Sequence, residues 1–423
     1  MGEVTLQTIR VFVVLVALAG LGAMAARRIA VPYTVALVVI GLAIGIVRPS
    51  PEFEVTPDLV LLVLLPGLVF EAALHFDVPT LRRTFGGVVV LAAPGVVVTA
   101  AIVAAVLAVS TGLDPTLGFV VGAMVAATDP VAVIATFKAV RAPRTLATLV
   151  EAESVFNDAT ALVIFLVAIR AATGVVSPAD VLLTLVGAVV VSAAIGLATG
   201  YVTSLLMARA HDHLVELTLS VAAAYGTYLL ADAIHQSGII ATVVAGVVIG
   251  SSVRRASAER PVAAASNNEP LDVVWEFIAF LLTALVFLLV GLAIDFTRLG
   301  ATLPWILWGI VAVLVARVVV VYVLLGGYAA IAGIRAGGRR VPVGWLHVLF
   351  WAGLRGAVAV AMALSLPVDF PQRELLQEIT FGVVLFTLFA QGTTVEWLIR
   401  RVGIDEARGD VQPVSQADSV RAG

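Results

Sequence analysis

Charge is scarce in this chain and cysteine is absent. Of its 423 residues 13% are Asp, Glu, Lys or Arg and 61% are hydrophobic, whereas an ordinary soluble domain is about 25% charged and about 45–50% apolar. With a mean hydropathy of +1.10, a soluble globular protein is excluded and a polytopic membrane protein remains. Without cysteine there are no disulfides and no thiolate metal sites, and the redox compartment stays open. The net charge of -3 offers no basic surface to a nucleic acid. The chain also lacks HExxH, a paired-aspartate motif for magnesium diphosphate, and a histidine near Ser154 in sequence, so it reads as a non-enzyme that needs no cofactor. No small-residue cleavage site precedes Arg27 and Arg28, and the first apolar run therefore reads as a retained helix rather than a signal peptide.

What is present is a succession of apolar runs. A membrane-crossing helix takes about 20 mostly apolar residues. Thirteen such runs occur, at residues 5–25, 31–48, 58–77, 84–110, 116–137, 145–171, 179–207, 213–233, 237–253, 272–294, 302–330, 343–366 and 374–400. If the amino terminus lies outside, the odd-numbered loops and the carboxyl-terminal segment hold 18 of the 25 basic residues, Arg27, Arg28, Arg82, Arg83 and Lys138 among them. The opposite side holds only Arg10, Arg48, Arg170, Arg298 and Arg373. Cytoplasmic loops accumulate Lys and Arg, which puts the amino terminus outside and the carboxyl terminus in the cytoplasm. Residues 1–401 then form one transmembrane domain, and 402–423 read as a short, polar, disordered cytoplasmic tail.

Six of the charged residues inside the spans stand out: Glu71, Asp129, Glu153, Asp158, Arg317 and Arg355. A charge at membrane depth costs at least a few kcal/mol and normally marks an ion or proton pathway. Counted from the nearest cytoplasmic basic residue at 1.5 Å per helical residue, Glu71, Asp129 and Asp158 lie roughly 14 to 21 Å deep, near mid-bilayer. Three carboxylates from three helices can therefore meet. Ser154 and Asp158 share a helix face, with Asn157 one step round. Oxygen donors of this kind suit a hard cation. Crowded, poorly solvated carboxylates repel one another, and either a proton or a metal ion relieves that repulsion. A group that holds one or the other, but not both, has the chemistry of exchange.

In "ATDPVAV", Ala127 to Val133, Pro130 removes a backbone donor and disfavours helical geometry at Asp129. A helix broken there turns free carbonyls and half-helix ends into a cavity. Seven spans later "GLRGAVAVA", Gly353 to Ala361, again sets a charge among glycines. The paired interruptions suggest inverted repeats whose two discontinuous helices cross, with Arg355 neutralising carbonyl ends and reducing repulsion among the acids.

These stretches, together with "FEAALHFD" (Phe70 to Asp77), "ESVFNDAT" (Glu153 to Thr160), "ARVVVVY" (Ala316 to Tyr322) and "WAGLRGAVAVA" (Trp351 to Ala361), resemble in order and spacing the NhaP and NHE branch of monovalent cation:proton antiporters. The resemblance implies an all-α, NhaA-like fold of about thirteen helices in the cell membrane, assembled as a homodimer. It implies a core bundle, including the helices at 58–171 and 302–400, that moves like an elevator against a dimerisation domain formed by the rest. It implies exchange of Na+ or Li+ for H+, with Asp158 as principal carrier and Asp129, Ser154, the Thr128 carbonyl and Glu71 as further Na+ ligands. Asn157, counted with that group, stands where the electrogenic branch has aspartate, which implies one cation per proton and no net charge moved. Glu153 resembles an acid that forms an ion bridge to Arg317, with Arg355 a second possible partner.

Other readings stay open at this level. K+/H+ exchange fits the same donors, and a cation channel needs no proton-titrating carboxylate. Glu71 is spaced to pair with His75, and Glu151 to line the mouth of the pathway.

Overall fold

The structure is a computed structural model; it describes residues 2–29, 32–47, 56–174, 178–210, 212–258, 269–294, 300–335 and 342–404. Residues 405–423 of the expected tail lie outside the described residues. In lipid every backbone N–H and C=O has to be paired internally, and the apolar runs accordingly form helices. They are α1 (Gly2–Ile29), α2 (Tyr33–Val47), α3 (Leu65–His75), α4 (Val78–Ala92), α5 (Pro94–Thr111), α6 (Pro115–Met124), α7 (Val131–Val140), α8 (Arg144–Thr173), α9 (Pro178–Ala210), α10 (His213–Asp232), α11 (Gly238–Ala258), α12 (Glu269–Ala293), α13 (Leu303–Val318), α14 (Gly326–Arg335), α15 (Val343–Trp351), α16 (Ala357–Leu364), α17 (Arg373–Phe386) and α18 (Gly392–Val402).

Each of the thirteen expected spans is met by a helix or by a helix pair. Among the described residues three crossings contain π-helical turns: Leu59–Leu64 leads into α3, Val319–Leu325 joins α13 to α14, and Thr387–Gln391 joins α17 to α18. Pro94 separates α4 from α5, where no helical N–H can be supplied. The expected spans 116–137 and 343–366 are the ones that split into short pieces, α6/α7 and α15/α16.

Small residues let the helices approach closely, as membrane interfaces require. At Gly41 and Gly291 the backbones of α2 and α12 lie in contact, and Gly118 and Gly122 of α6 pack on the backbone of α5 at Ala104 and Ala100. Gly246 and Gly250 of α11 do the same against α3 at Phe70 and Leu74. Phe70 and Leu74 join Met207, Ala224, Ile249 and Trp275 in a separate buried cluster, with the Phe70 and Trp275 rings 4.8 Å apart. α3 thus packs on α11 through Phe70 and Leu74, while its Leu65, Val69 and Ala73 join the main core.

Candidate functional site

α6 stops at Met124 and α7 starts at Val131; α15 stops at Trp351 and α16 starts at Ala357. The two interruptions cross, because the Asp129 N–H donates to the Leu354 carbonyl at 2.8 Å. Asp129 also accepts from the Val131 N–H at 3.0 Å, which holds its side chain against the first turn of α7. A Cβ at position 356 would collide with the Asp129 carboxylate, so glycine is needed for the second interruption to pass.

α8 runs beside the crossing. Ser154 donates its hydroxyl proton to the Thr128 carbonyl. One turn on, Asp158 is 8% exposed, and its Oδ1 has no hydrogen-bond partner among the described residues. Both face a cavity of about 360 Å³ whose lining includes Asp129, Thr128, Glu71 and Glu151. Glu71 borders this cavity, but its carboxylate lies 3.3 Å from His75 Nδ1, and His75 Nε2 is 3.4 Å from Asp272 of α12. The i,i+4 pairing open to Glu71 is thus made, on the same cavity wall that carries Glu151.

The polar groups on the other face of α8 have protein partners. Asn157 accepts from the Thr128 N–H at 3.2 Å and donates to the Thr128 hydroxyl at 2.6 Å. It does not line the cavity. Asn157, expected among the cation-binding groups, thus has both ends of its amide engaged with Thr128 in the broken segment. Glu153 forms a two-pronged ion pair with Arg317, one prong being Nη2 to Oε2 at 3.2 Å. Arg317 also donates to the Leu349 carbonyl at 2.8 Å, tying α8, α13 and α15 together. Arg355 does not take that place. Its Nη1 donates to the carbonyls of Ala126 and Ala127 at 2.8 and 3.2 Å, neutralising the carbonyl end left by α6. Its own backbone N–H is held by the Thr387 hydroxyl at 3.0 Å.

Two further cavity-lining groups escaped the sequence reading, Tyr33 of α2 and Thr283 of α12. The Tyr33 ring stacks on Phe280 at 5.9 Å. An aromatic residue at a helix start reads as an interfacial anchor, and no local signal distinguished it.

Crossed discontinuous helices beside an under-partnered buried carboxylate, in a cavity with hydroxyl and carbonyl oxygens, define a membrane-embedded secondary transporter for a small ion. The model of the sodium/hydrogen exchanger transmembrane family matches residues 13–401, and the chain belongs to that family. It is 35% identical over 396 residues to the low-affinity Na(+)/H(+) antiporter NhaS1 of Synechocystis sp., covering 92% of this chain and 73% of that protein. It is 36% identical over 411 residues to the Na(+)/H(+) antiporter NhaG of Bacillus atrophaeus, covering 93% of this chain and 75% of that one. Its fold is similar to that of the sodium proton antiporter MjNhaP1 from Methanocaldococcus jannaschii, with a TM-score of 0.76 at 20% identity over 95% of this chain and 100% of that chain.

Proposed function

We propose that the chain exchanges Na+ or Li+ for H+ across the cell membrane through competition of the two ions for Asp158. The observation that carries this reading is Asp158, a buried residue in the cavity wall whose Oδ1 has no hydrogen-bond partner among the described residues. A buried charge is normally paired, so an acceptor left open is available to a proton or a cation in turn. Asp129, the Ser154 hydroxyl and the Thr128 carbonyl complete an oxygen set suited to a hard monovalent ion. Glu71 serves at the outer part of the same cavity. The curated relatives named above are themselves Na(+)/H(+) antiporters, which supports the choice of ions.

Asn157 in place of a second carboxylate leaves one titrating carrier, so exchange is one cation per proton and moves no net charge. The packing group of α4 to α8 with α13 to α18 carries the site as one body, in elevator fashion, against the group containing α9 to α12. Family resemblance adds a homodimer, with the amino terminus outside and the carboxyl terminus in the cytoplasm.

The test is dye-reported antiport in inverted vesicles, scanning Na+, Li+ and K+ across pH, with an Asp158→Asn variant as control. Wild-type chain should dissipate a proton gradient on addition of Na+ or Li+, and the variant should not. Exchange driven by K+ alone would overturn the ion assignment, and exchange by the variant would overturn the carrier.

A further inference from the structure

Behind Asp158, on the side of α8 away from the cavity, lies a second space of about 10 Å³. Its walls include Glu153, Asn157, Arg317 and Arg355, with Thr99 and Val96 of α5. A space of this size takes about one water molecule, and water stays in such a place when it finds two to four polar partners. Arg355 is 1% exposed. Its Nη1 is committed to the carbonyls of Ala126 and Ala127, while its Nε–H has no acceptor among the described residues. A buried guanidinium N–H without an acceptor is unfavourable enough that protein structures rarely keep one.

The geometry points to a resident water molecule in this space, accepting from Arg355 Nε and donating to two of the three oxygens on its walls: the Glu153 carboxylate, Asn157 Oδ1 and Thr99 Oγ1. Each retains acceptor capacity. The carboxylate has four lone-pair sites, Asn157 Oδ1 accepts one bond from Thr128, and Thr99 uses its proton on the Gly95 carbonyl. Other occupants fit less well. A cation would face two guanidinium groups, and a halide is too large for the space.

The water joins two structures that otherwise have no direct hydrogen bond to each other. On one side is the Glu153–Arg317 pair between α8 and α13; on the other is the Arg355 clamp on the carbonyl end of α6. Arg317, Glu153, the water, Arg355 and Asp158 then follow one another with alternating charge, Arg355 lying within electrostatic reach of both Glu153 and Asp158. The hydrogen bonds among Arg317, Glu153, the water and Arg355 polarise one another and stiffen that part of the chain, while Asp158 is reached by charge alone. This water lies outside the ion cavity, and its existence does not depend on which cation is carried.

Two measurements on the full-length protein in lipid nanodiscs test it. Electron cryo-microscopy at a resolution that displays ordered water should show a compact peak within hydrogen-bonding distance of Arg355 Nε. A map with waters elsewhere and none in this space overturns the proposal. The second measurement is the melting temperature of Val96→Ile, which adds one methylene to a wall of the space and touches no ion-binding group. If water resides there, the methylene expels it, strands the Arg355 N–H and lowers the melting temperature by a few degrees, with the density peak lost. In a dry space the methylene displaces no water, so a fall in melting temperature without loss of a density peak reflects crowding alone and overturns the proposal. An unchanged or raised melting temperature overturns it as well.

Discussion

On α8, Ser154 and Asp158 face the cavity, while Glu153 and Asn157, each one residue earlier, face the protein interior. Each of the interior pair has a protein partner: Glu153 is clasped by Arg317, and both ends of the Asn157 amide are taken by Thr128. The cavity pair differs, since Asp158 keeps an oxygen without a partner among the described residues. Four polar residues of similar burial thus divide into two kinds by what meets them. A buried charge with its partner in place is a structural element that is costly to break. One without a partner has an energetic reason to bind something mobile.

The sharpest way to break this comparison is to alter one member of each face. Asp158→Asn should reduce exchange to background while leaving the melting temperature close to wild type. Loss of folding in that variant would erase the distinction between the faces. Glu153→Ala should do the reverse, costing about 3–5 kcal/mol because the Arg317 charge is left buried and alone. Thermal melting and transport on the same preparation separate the two effects, and a stable but inactive Glu153→Ala protein would move Glu153 to the cavity face.

Smaller effects sharpen it. Asn157→Ala leaves the buried Thr128 N–H unpaired and should cost about 1–3 kcal/mol of stability, with apparent Na+ affinity falling only as far as the broken segment loosens. Ser154→Ala removes one neutral oxygen and should raise the KM for Na+ about fivefold, the equivalent of about 1 kcal/mol, with a smaller fall in melting temperature than Asn157→Ala because one hydrogen bond to Thr128 is lost rather than two. Smallest of all is the response to voltage: an imposed membrane potential should not alter exchange in proteoliposomes, and a clear dependence would show that more than one charge per cation is in play.

Much of this was legible in the sequence because lipid leaves the chain few options. Apolar runs of sufficient length can only be helices, and Pro130 and the glycines around Arg355 mark where two of them break. The six charges were conspicuous for the same reason. Direction and partnership were not legible. Asn157 and Asp158 are neighbours in sequence, and only the packing of the Thr128 segment decides which of them looks into the cavity. The choice of Arg317 over Arg355 for Glu153 spans 164 residues and depends on how α13 and α15 approach α8. The packing of α3 on α11 had a signal, the small residues Gly246 and Gly250 spaced one turn apart, but their partner surface emerges only on packing. The π-helical turns left no mark in composition.

One of those turns governs how α13 and α14 meet their neighbours. A π turn is an α-helix carrying one surplus residue. Arg317 precedes the turn at Val319–Leu325 and engages α8 and α15; Tyr328 follows it and seats its hydroxyl in the notch that Gly86 leaves on α4. Eleven positions apart, the two would point almost the same way on a plain α-helix of 3.6 residues per turn. With the surplus residue absorbed in the π turn, they stand roughly 80° apart. The segment works like a key cut on two edges: deleting the surplus residue would leave a plain α-helix with both edges still engaged, whereas winding the full segment as plain α-helix would turn the Tyr328 edge out of its lock.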